Sequence, residues 1–420
     1  MKTARGSGVD KISNLPCNVL DGILGCLSLK DAVKTSILSK NWRYNWVTRK
    51  ELDFDDEFFR SCKDNQEAKT IIYQVLLLHE GPMLKFRLQG SRIQGPQLMS
   101  CLDINHWIRF LSKKDVQEFT LRIGSGNAYH LPYQLFTCQQ LRHLELKLCL
   151  FHPPPGFKGF VKLINLYLHD VIFVPSLISK CPLLERLRLS WCRGFDILEI
   201  DAPNLKCFHF SGRFKSICFK NAPVLREVTI VLLDVFPDPS PPVSSNVTKF
   251  FHYMPSLQTL DICGSTLEYL TMGGLPKSPP TALNNVKSLE FSVTTLRNVE
   301  EVSGAVYLIT NCPKLQELSM DCDSVPDVVE PVVEFLEAQS ITSFGAAKLL
   351  QKVEMCYFKG AKMQMEFMKF ILASAPVLEK ITMLMIPHEF LHCADTQMME
   401  EQMKQFPRAS PNVRFIFVEY

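Results

Sequence analysis

The chain has 420 residues, 46% of them hydrophobic, so it is long enough to bury a large core and to form two or three domains. Its 46 basic and 43 acidic residues give a formal net charge of +3, which creates no global field that would favour nucleic acid or an anionic membrane as a partner. No apolar run reaches the length of about 18 residues that a membrane span needs, and the N-terminal residues lack the apolar stretch of a secretory signal, so we expect a protein of the cytoplasm and/or nucleus.

Residues 10–46 carry more apolar side chains than so short a segment can bury by itself. Three helical pieces are predicted here: Pro16 suits a first turn, Ser28 and Asp31 have the spacing of a capping box, and Ser39 is placed to cap the third piece. Apolar residues load more than one face of the first piece, whereas a surface helix normally has one apolar stripe. The segment therefore predicts a docking surface for a partner protein or for the next domain.

The order of short motifs in this segment, Leu15-Pro16, KDAV, SILSK and WRYNW, resembles a plant F-box. F-box segments dock on the Skp-type adaptor of a cullin–RING ubiquitin ligase, so the resemblance implies that this segment binds such an adaptor. The residues implied in the contact are Leu15, Pro16, Val19, Ile23, Leu24, Leu27, Val33, Ser39, Trp42 and Trp46. The segment departs from the family at Cys17-Asn18, where an acidic pair is usual, and at Asn41 and Asn45 beside the tryptophans.

Two other interpretations of this segment remain open. It could be an ordinary helical cap on the next domain. The basic residues Lys40, Arg43 and Arg49 beside the two tryptophans could also form an aromatic patch for nucleic acid, although two aromatics on one helix face usually bury against protein. We therefore favour docking to protein.

From about residue 80 onward, one apolar pattern, LxxLxL, recurs along the chain. Its copies run from Val116-Phe119-Leu121 to Leu378-Ile381-Met383, and they match the strand of a leucine-rich repeat. In such a strand the last two apolar residues point into the core, because side chains alternate along an extended chain. No repeat can bury its own apolar face, so we expect the repeats to stack into an irregular horseshoe with the strands along one side.

A proline two positions before the first apolar residue of the pattern precedes several strands, as in Cys181-Pro182 and Ala222-Pro223. Proline cannot donate to a strand ladder and suits a strand entrance. Several of the 15 cysteines fall at fixed repeat positions, and no CxxC pair occurs. We therefore predict that Cys138, Cys149, Cys181, Cys192 and Cys312 are packing groups, and we expect neither a metal nor a cofactor.

The connections between strands are predicted to be of two kinds. Helices are predicted at Glu67 to Leu78, Asp103 to Leu111 and Met363 to Leu372 from their apolar spacing. Short extra copies of the pattern at Phe195-Leu198-Ile200, Phe214-Ile217-Phe219 and Leu267-Leu270-Met272 predict short return strands, because about ten residues leave little room for a helix.

The C-terminal part, with the phrase FMKFILASAPVLEKITM, resembles the FBD region of plant F-box proteins with leucine-rich repeats. It predicts a strand, a helix and a strand, followed by a closing edge strand at Asn412 to Tyr420. The expected fold class is α/β, with a three-helix F-box at 10–50, leucine-rich repeats and a linking helix at 51–345, and an FBD region with a terminal cap at 346–420.

One motif points to chemistry. His388, Glu389 and His392 form HExxH, in which two histidines one helical turn apart bind zinc and the glutamate activates water. The sequence that follows provides neither the glycine nor the third histidine of the extended motif, and Pro387 directly precedes it. A zinc hydrolase is therefore the remote alternative, and we expect a protein with no catalytic residues of its own.

The outward positions of the repeat strands predict a face that binds a target protein. Its early strands favour basic residues and its later strands acidic ones, so we expect a partner of complementary polarity; a solvated face with accidental bias is the alternative. The resemblance implies a substrate-recognition subunit of a Skp–cullin–F-box ligase, and the main alternative is a repeat scaffold or receptor with a non-functional F-box. The predicted target-binding residues are His143, Lys147, Tyr167, His169, Arg186, Arg188, His209, Asp261, Glu290, Glu317, Asp321 and Glu354.

Overall fold

A computed structural model describes residues 15–38, 42, 44–90, 101–233, 245–322, 329–385 and 393–419. The chain divides into two compact units, Met1–Pro182 and Leu183–Tyr420, which are described separately below. None of the helices in the described ranges has both the length and the apolar character to cross a membrane.

Unit 1 begins with short helices. Helix α1 spans Cys17–Gly25 and α2 spans Leu29–Lys34; 3₁₀ turns follow at Thr35–Ile37 and Asn45–Thr48. The predicted cap of α2 is confirmed, because the backbone N–H of Asp31 donates to Ser28 Oγ at 3.2 Å. The hydroxyl of Ser28 also donates to the Asp31 carboxylate at 2.9 Å, so the two side chains close the start of the helix.

The remainder of unit 1 is a parallel sheet with helical connections. Strands β1, β2, β3, β5 and β7 pair in that order, and β4 pairs with β6 separately. The strands are β1 Glu51–Phe54, β2 Lys85–Gln89, β3 Glu118–Arg122, β4 Tyr129–His130, β5 His143–Lys147, β6 Cys149–Leu150 and β7 Asn165–His169. The helices are α3 Asp56–Ser61, α4 Asn65–Leu78, α5 Cys101–Leu111 and α6 Ser176–Ser179, with a 3₁₀ turn at Tyr133–Thr137.

Unit 2 is built in the same way. Its strands β8, β10 and β12 to β18 pair in parallel in that order, and β9 pairs with β11 on the return leg. The strands are β8 Arg186–Ser190, β9 Ile197–Asp201, β10 Cys207–Gly212, β11 Ser216–Asn221, β12 Glu227–Leu232, β13 Thr259–Cys263, β14 Ser288–Ser292, β15 Glu317–Asp321, β16 Lys352–Cys356, β17 Lys380–Met385 and β18 Arg414–Glu419. The helices are α7 Asn246–Phe251, α8 Gly264–Thr271, α9 Val299–Asn311, α10 Glu330–Thr342, α11 Lys362–Ser374 and α12 Cys393–Gln405, with a 3₁₀ turn at Thr281–Asn285.

The LxxLxL pattern sets the register of the parallel repeat strands in each unit. Equivalent apolar positions pair across strands, as Leu260 with Leu289 and Leu289 with Leu318, and all three side chains are buried. A slip of one residue would turn these side chains out of the core, so the pattern specifies the register strongly. The predicted α/β class with parallel repeat strands is confirmed.

Two kinds of return leg were predicted, and one copy was assigned wrongly. The strands β9 and β11 confirm the short returns at Leu198 and Ile217, whereas Leu267 to Met272 lies in helix α8 and the turn that ends it. Leu267 and Leu270 are three residues apart, which is also the spacing of one helix face, and both are buried. The LxxLxL spacing alone therefore could not separate strand from helix here. The predicted helices at Glu67, Asp103 and Met363 are confirmed.

The cysteines assigned to packing lie in the interior. Cys138, Cys149, Cys181, Cys192 and Cys312 are buried, and their side chains are thiols rather than disulfides. Burial raises the pKa of Cys138 and of Cys181 to about 11, because a thiolate is poorly stabilised away from water. Across the described ranges, no group of three or more His, Cys, Asp or Glu side chains is arranged to hold a metal ion.

Candidate interaction surfaces

Buried side chains hold the N-terminal helices in place. Leu24, Trp42 and Trp46, three of the residues predicted to contact an adaptor, are only 1%, 2% and 7% exposed. Helix α1 packs against the 3₁₀ turn Asn45–Thr48 that carries Trp46, and α2 packs against β1. These three side chains therefore lie beneath the surface and support it, so a rigid partner could not contact them directly.

Backbone groups attach this segment to the rest of unit 1. The Arg49 guanidinium donates from Nη2 to the carbonyl of Leu27 at 3.1 Å, in the connection between α1 and α2. The His79 ring nitrogen Nε2 lies 2.7 Å from the carbonyl oxygen of Arg49, and because a carbonyl only accepts, this nitrogen carries the hydrogen. Burial lowers the pKa of His79, which keeps the ring neutral. The position of α1 thus depends on contacts with the residues that follow it.

Among the described residues of the N-terminal segment up to residue 50, six large apolar side chains are exposed, and we call them the N-terminal apolar patch. Ile37 is 87% exposed, Tyr44 64% and Leu38 60%, although such residues usually avoid water. The patch consists of Val19, Ile23, Val33, Ile37, Leu38 and Tyr44. So many exposed apolar groups in one short segment indicate an interaction site, whereas single ones are ordinary.

The predicted adaptor residues divide accordingly. Val19, Ile23 and Val33 belong to the N-terminal apolar patch. Pro16 is exposed, Leu15 and Leu27 are half-buried, and Ser39 lies outside the described residues. The prediction missed Ile37, Leu38 and Tyr44, which occur in the SILSK and WRYNW motifs; the 3₁₀ turn Thr35–Ile37, which a helical pattern does not foresee, precedes Leu38.

In unit 1 two basic side chains beside the predicted face pair with carboxylates of the protein. Arg122 Nε donates to Glu145 Oε1 at 2.7 Å, and Lys85 Nζ lies 3.4 Å from Glu118 Oε2. Burial by itself would raise the pKa of Glu145, but hydrogen bonds from His143 and Arg122 hold it below its ordinary value. Arg122 and Lys85 are therefore paired within the protein, so the predicted basic character of this part of the face depends on the neighbouring residues Lys147, His143 and His169.

The remaining predicted residues of this face in unit 1 are close neighbours. The rings of His143 and Tyr167 meet edge to face with centroids 5.1 Å apart. Lys147 and His169 pair in the β5–β7 register. Burial lowers the pKa of His169, and Lys147 lowers it further, so His169 is a neutral polar group rather than a cation at neutral pH.

In unit 2 the basic residues lie on β8 and β10. Arg188 pairs with His209 and Arg186 with Cys207 in the strand register. Both arginines are exposed. Burial and then Arg188 lower the pKa of His209, so the cationic character of these two strands comes from the arginines.

The later strands of unit 2 bring four acidic residues together. Asp261, Glu290 and Glu354 occupy one register row across β13 to β16, in which Ser319 separates the last two. Burial raises the pKa of Glu290, and so do the negative charges of Asp261, Asp321 and Glu354. Burial also raises the pKa of Asp261, which accepts a hydrogen bond from Ser292 at 2.9 Å. We call these four residues, Asp261, Glu290, Asp321 and Glu354, the acidic row.

Glu317, the other acidic residue predicted for this face, does not belong to the acidic row. It lies at the start of β15 and pairs with Lys352 at 2.9 Å. By contrast, no ion pair among the described residues includes Glu290 or Glu354. Glu290 and Glu354 therefore contribute a local negative charge that no ion pair of the described residues neutralises.

The HExxH motif lies within residues 386–392, outside the described part of the chain. Its geometry therefore contributes nothing to the choice of function. Within the described residues, the candidate interaction surfaces are therefore the N-terminal apolar patch and the outward face of the repeat strands.

Comparison with known families matches three consecutive regions. A model described as F-box domain matches residues 12–51, one described as FBD-associated F-box protein At5g56370, LRR repeats, matches residues 104–318, and one described as FBD matches residues 348–383. The resemblances to an F-box, to leucine-rich repeats and to an FBD region are thereby confirmed.

Relatives from Arabidopsis thaliana extend over the same regions. The F-box/FBD/LRR-repeat protein At1g13570 is 34% identical over 99% of this chain and 100% of its own length. The FBD-associated F-box protein At5g56370 is 26% identical, covering 87% of this chain and 88% of the relative. The F-box protein At3g03040 is 27% identical over 74% of this chain and 75% of its own.

Proposed function

Because the chain belongs to the F-box/FBD/LRR-repeat family of plant proteins, we propose that it is a substrate-recognition subunit of a Skp–cullin–F-box ubiquitin ligase. In this role the N-terminal helices dock on a Skp-type adaptor, and through it on the cullin–RING ligase. The leucine-rich repeats hold a target protein. Families of this kind are typically non-catalytic adaptors, so ubiquitin transfer is assigned to the other subunits.

The observation that carries the proposal is the N-terminal apolar patch above its buried anchors. Burying an apolar side chain stabilises a complex by roughly 25 cal/mol per Å² removed from water. Val19, Ile23 and Val33 lie on the helices α1 and α2, whose backbone is already ordered. Binding at these residues therefore loses little backbone conformational entropy. A flat apolar partner surface would therefore be a favourable complement.

The proposed mechanism is proximity. A target held on the outward face of the strands, with the adaptor bound at the N-terminal helices, has its lysines at a high effective concentration near the ubiquitin-conjugating enzyme. Polar and charged outward residues, such as Arg186, Arg188 and the acidic row, would select the target through charge complementarity. Reversal of Arg186 and Arg188 to Glu is expected to weaken target capture, and unchanged capture would refute their role.

The adaptor interaction is tested by binding measurements between the purified full chain and a plant Skp-type adaptor. The variant Ile23→Asp with Val33→Asp places two charges in the N-terminal apolar patch and should weaken binding at least a hundredfold. The control variant Val161→Asp with Val174→Asp changes two comparably exposed valines, 45% and 52%, outside the patch, and should bind within threefold of wild type.

Two outcomes would favour the alternative of a repeat scaffold with a non-functional F-box. One is a wild-type chain that does not bind the adaptor. The other is equal binding by the patch variant and wild type, with thermal unfolding showing that both are folded. Loss of binding in the patch variant alone would support the adaptor function.

We also propose that the protein acts in the cytoplasm and/or nucleus, where cullin–RING ligases operate. The buried free thiols are compatible with a reducing compartment. Microscopy of a fluorescent fusion in plant cells tests this proposal, and a purely secreted or vesicular signal would contradict it.

A further inference from the structure

Strand β18 of unit 2 has an open edge. It pairs with β17 over all six of its residues without a register shift, and no strand of the described residues pairs with its other edge. Edge strands in proteins are usually short, or they carry charges, proline or a bulge that prevents pairing with another chain. Strand β18 is as long as any strand described in unit 2, and its two charged residues, Arg414 and Glu419, stand at its ends. The usual protection of an edge is therefore missing from its centre.

The apolar side chains of β18 are accessible on both faces of the sheet. Phe415 and Phe417 occupy the core positions of the repeat, and their partners on β17 are fully buried. The equivalent residues of β15 and β16 are at most 3% exposed, whereas both phenylalanines are only half-buried. On the outward face, Ile416 is half-buried and Val418 is 39% exposed. Four consecutive apolar residues are thus left partly in contact with solvent.

Strand β1 of unit 1 shows how this chain covers an edge strand. It pairs with β2, and its other edge pairs with no strand of the described ranges. Its core residues Leu52 and Phe54 are nevertheless fully buried, because helices α2 and α3 pack against β1. Phe415 and Phe417, by contrast, remain accessible. An edge strand with accessible aromatic residues indicates a surface that another chain covers.

The backbone of β18 offers hydrogen-bonding groups at this edge. The N–H of Arg414 donates to the carbonyl of Glu379 at 3.0 Å, so Arg414 directs its backbone groups towards β17. Successive residues of a strand direct these groups to opposite sides, so Phe415 and Phe417 direct theirs to the open edge. Backbone groups among apolar side chains are stabilised by pairing with another strand.

We propose that the open edge of β18 pairs with the same edge of a second copy of this chain. The two strands are antiparallel about a twofold axis at Ile416, so one surface serves both copies. In this register Phe415 of one copy lies opposite Phe417 of the other, and Ile416 lies opposite its own copy. The residues that exchange backbone hydrogen bonds are then Phe415 and Phe417, whose groups point to the open edge.

The sequence of β18 favours this register over its neighbours. Opposite residues of an antiparallel pair share a face, so a slip of one residue would place the core row of one copy against the outward row of the other. A slip of two residues would bring Glu419 opposite Phe415, or Arg414 opposite Ile416. With the axis at Ile416, the three central pairs are entirely apolar, and aromatic pairs across strands are stabilising.

The dimer goes beyond the ligase function proposed above and does not depend on it. If the repeats hold a target as proposed, two joined copies present two binding faces. A target with two recognised segments would then bind more tightly than either face alone allows, because the second contact is intramolecular.

Sedimentation velocity on the purified full chain tests the dimer. Wild type should show a monomer–dimer equilibrium at concentrations up to about 100 μM, at which a dimer of micromolar affinity is largely formed. No larger species should appear, because a twofold interface uses the open edge of both copies.

A pair of charge variants tests the position of the twofold axis. Ile416→Lys and Ile416→Glu each place like charges opposite one another, so each should weaken dimer formation at least tenfold. An equimolar mixture of the two places Lys opposite Glu and should associate at least fivefold more tightly than either variant alone. The matched controls, Val224→Lys and Val224→Glu, change a 37% exposed valine of unit 2 outside the strands and should dimerise within twofold of wild type, alone and mixed.

Three results would overturn the proposal. The first is a wild type that stays monomeric over the whole concentration range, which would leave the edge to an extended segment of another protein. The second is undiminished dimer formation by both Ile416 variants. The third is loss of the dimer in both variants without recovery in their mixture, with circular dichroism showing that both are folded. Recovery in the mixture would support the proposal and exclude misfolding as the cause of the loss.

Discussion

Val293 follows β14 directly with a left-handed φ of 49°, so replacing it by Asn should make the protein more stable, although the change removes an apolar side chain. A left-handed backbone costs a residue with a Cβ about 1–2 kcal/mol, and Asn is one of the few residues that visits this region readily. Val293 is 63% exposed, so only about a third of the roughly 1.5–3 kcal/mol of full valine burial is lost, which is about 0.5–1 kcal/mol. The expected net change is a gain of about 0.5–1 kcal/mol in the free energy of unfolding.

Urea unfolding followed by tryptophan fluorescence measures this change. The midpoint should rise with an unchanged slope, which indicates altered stability rather than altered compactness. Val377→Asn is the matched control, because Val377 is 42% exposed and does not have a positive φ, and it should lose about 1 kcal/mol. A Val293→Asn variant less stable than wild type, or an equal gain in the control, would refute the claim that this strand end is strained.

Three further predictions concern the anchors and the charges. Glu301→Ala should lower the free energy of unfolding by about 3 kcal/mol, because the N–H of Thr295 and its neighbours would lose their buried carboxylate acceptor. Chemical denaturation measures this loss, and a value below about 1 kcal/mol would contradict it. Glu290→Gln should raise the melting temperature at pH 7.5 and lose that advantage near pH 4. A pKa raised above 4.5 means that the folded state binds the proton more tightly, so the stability of the wild type falls as the pH rises through the raised pKa. An advantage that does not depend on pH would contradict the repulsion. Arg49→Ala should speed hydrogen exchange in α1 and α2 and leave exchange in the repeats unchanged. The cause is loss of the hydrogen bond to the Leu27 carbonyl, worth about 1–2 kcal/mol. An equal increase in exchange across both regions would argue against a local anchor.

The repeat strands could be predicted because one pattern carries both their period and their register. Leu289 must be apolar to enter the core, and it must align with Leu260 and Leu318 for the cores of neighbouring repeats to join. Local spacing and long-range packing therefore agree at these positions. The prediction of a strand at Leu267 was wrong because apolar residues three apart fit one face of a helix as well as the LxxLxL pattern.

The surfaces were less predictable because exposure depends on what covers each residue. The sequence marks Trp42, Trp46 and Ile37 equally as apolar members of the F-box motifs, but two are buried within the chain and Ile37 is 87% exposed. The acidic row likewise depends on register, which brings Asp261 beside Glu290 from distant parts of the sequence. The residue type at Val293 argues against its left-handed backbone, which instead follows from repeat position, since Asp170 and Trp191 also adopt it two residues after the last apolar residue of LxxLxL.

The adaptor function is tested most directly by hydrogen exchange of the full chain with and without a Skp-type adaptor. Our account predicts slower exchange within α1, α2 and the turn Thr35–Ile37, where the N-terminal apolar patch is covered, and unchanged exchange in the repeat strands. Protection confined to the repeats, or no protection at a concentration of adaptor that saturates another F-box protein, would contradict it.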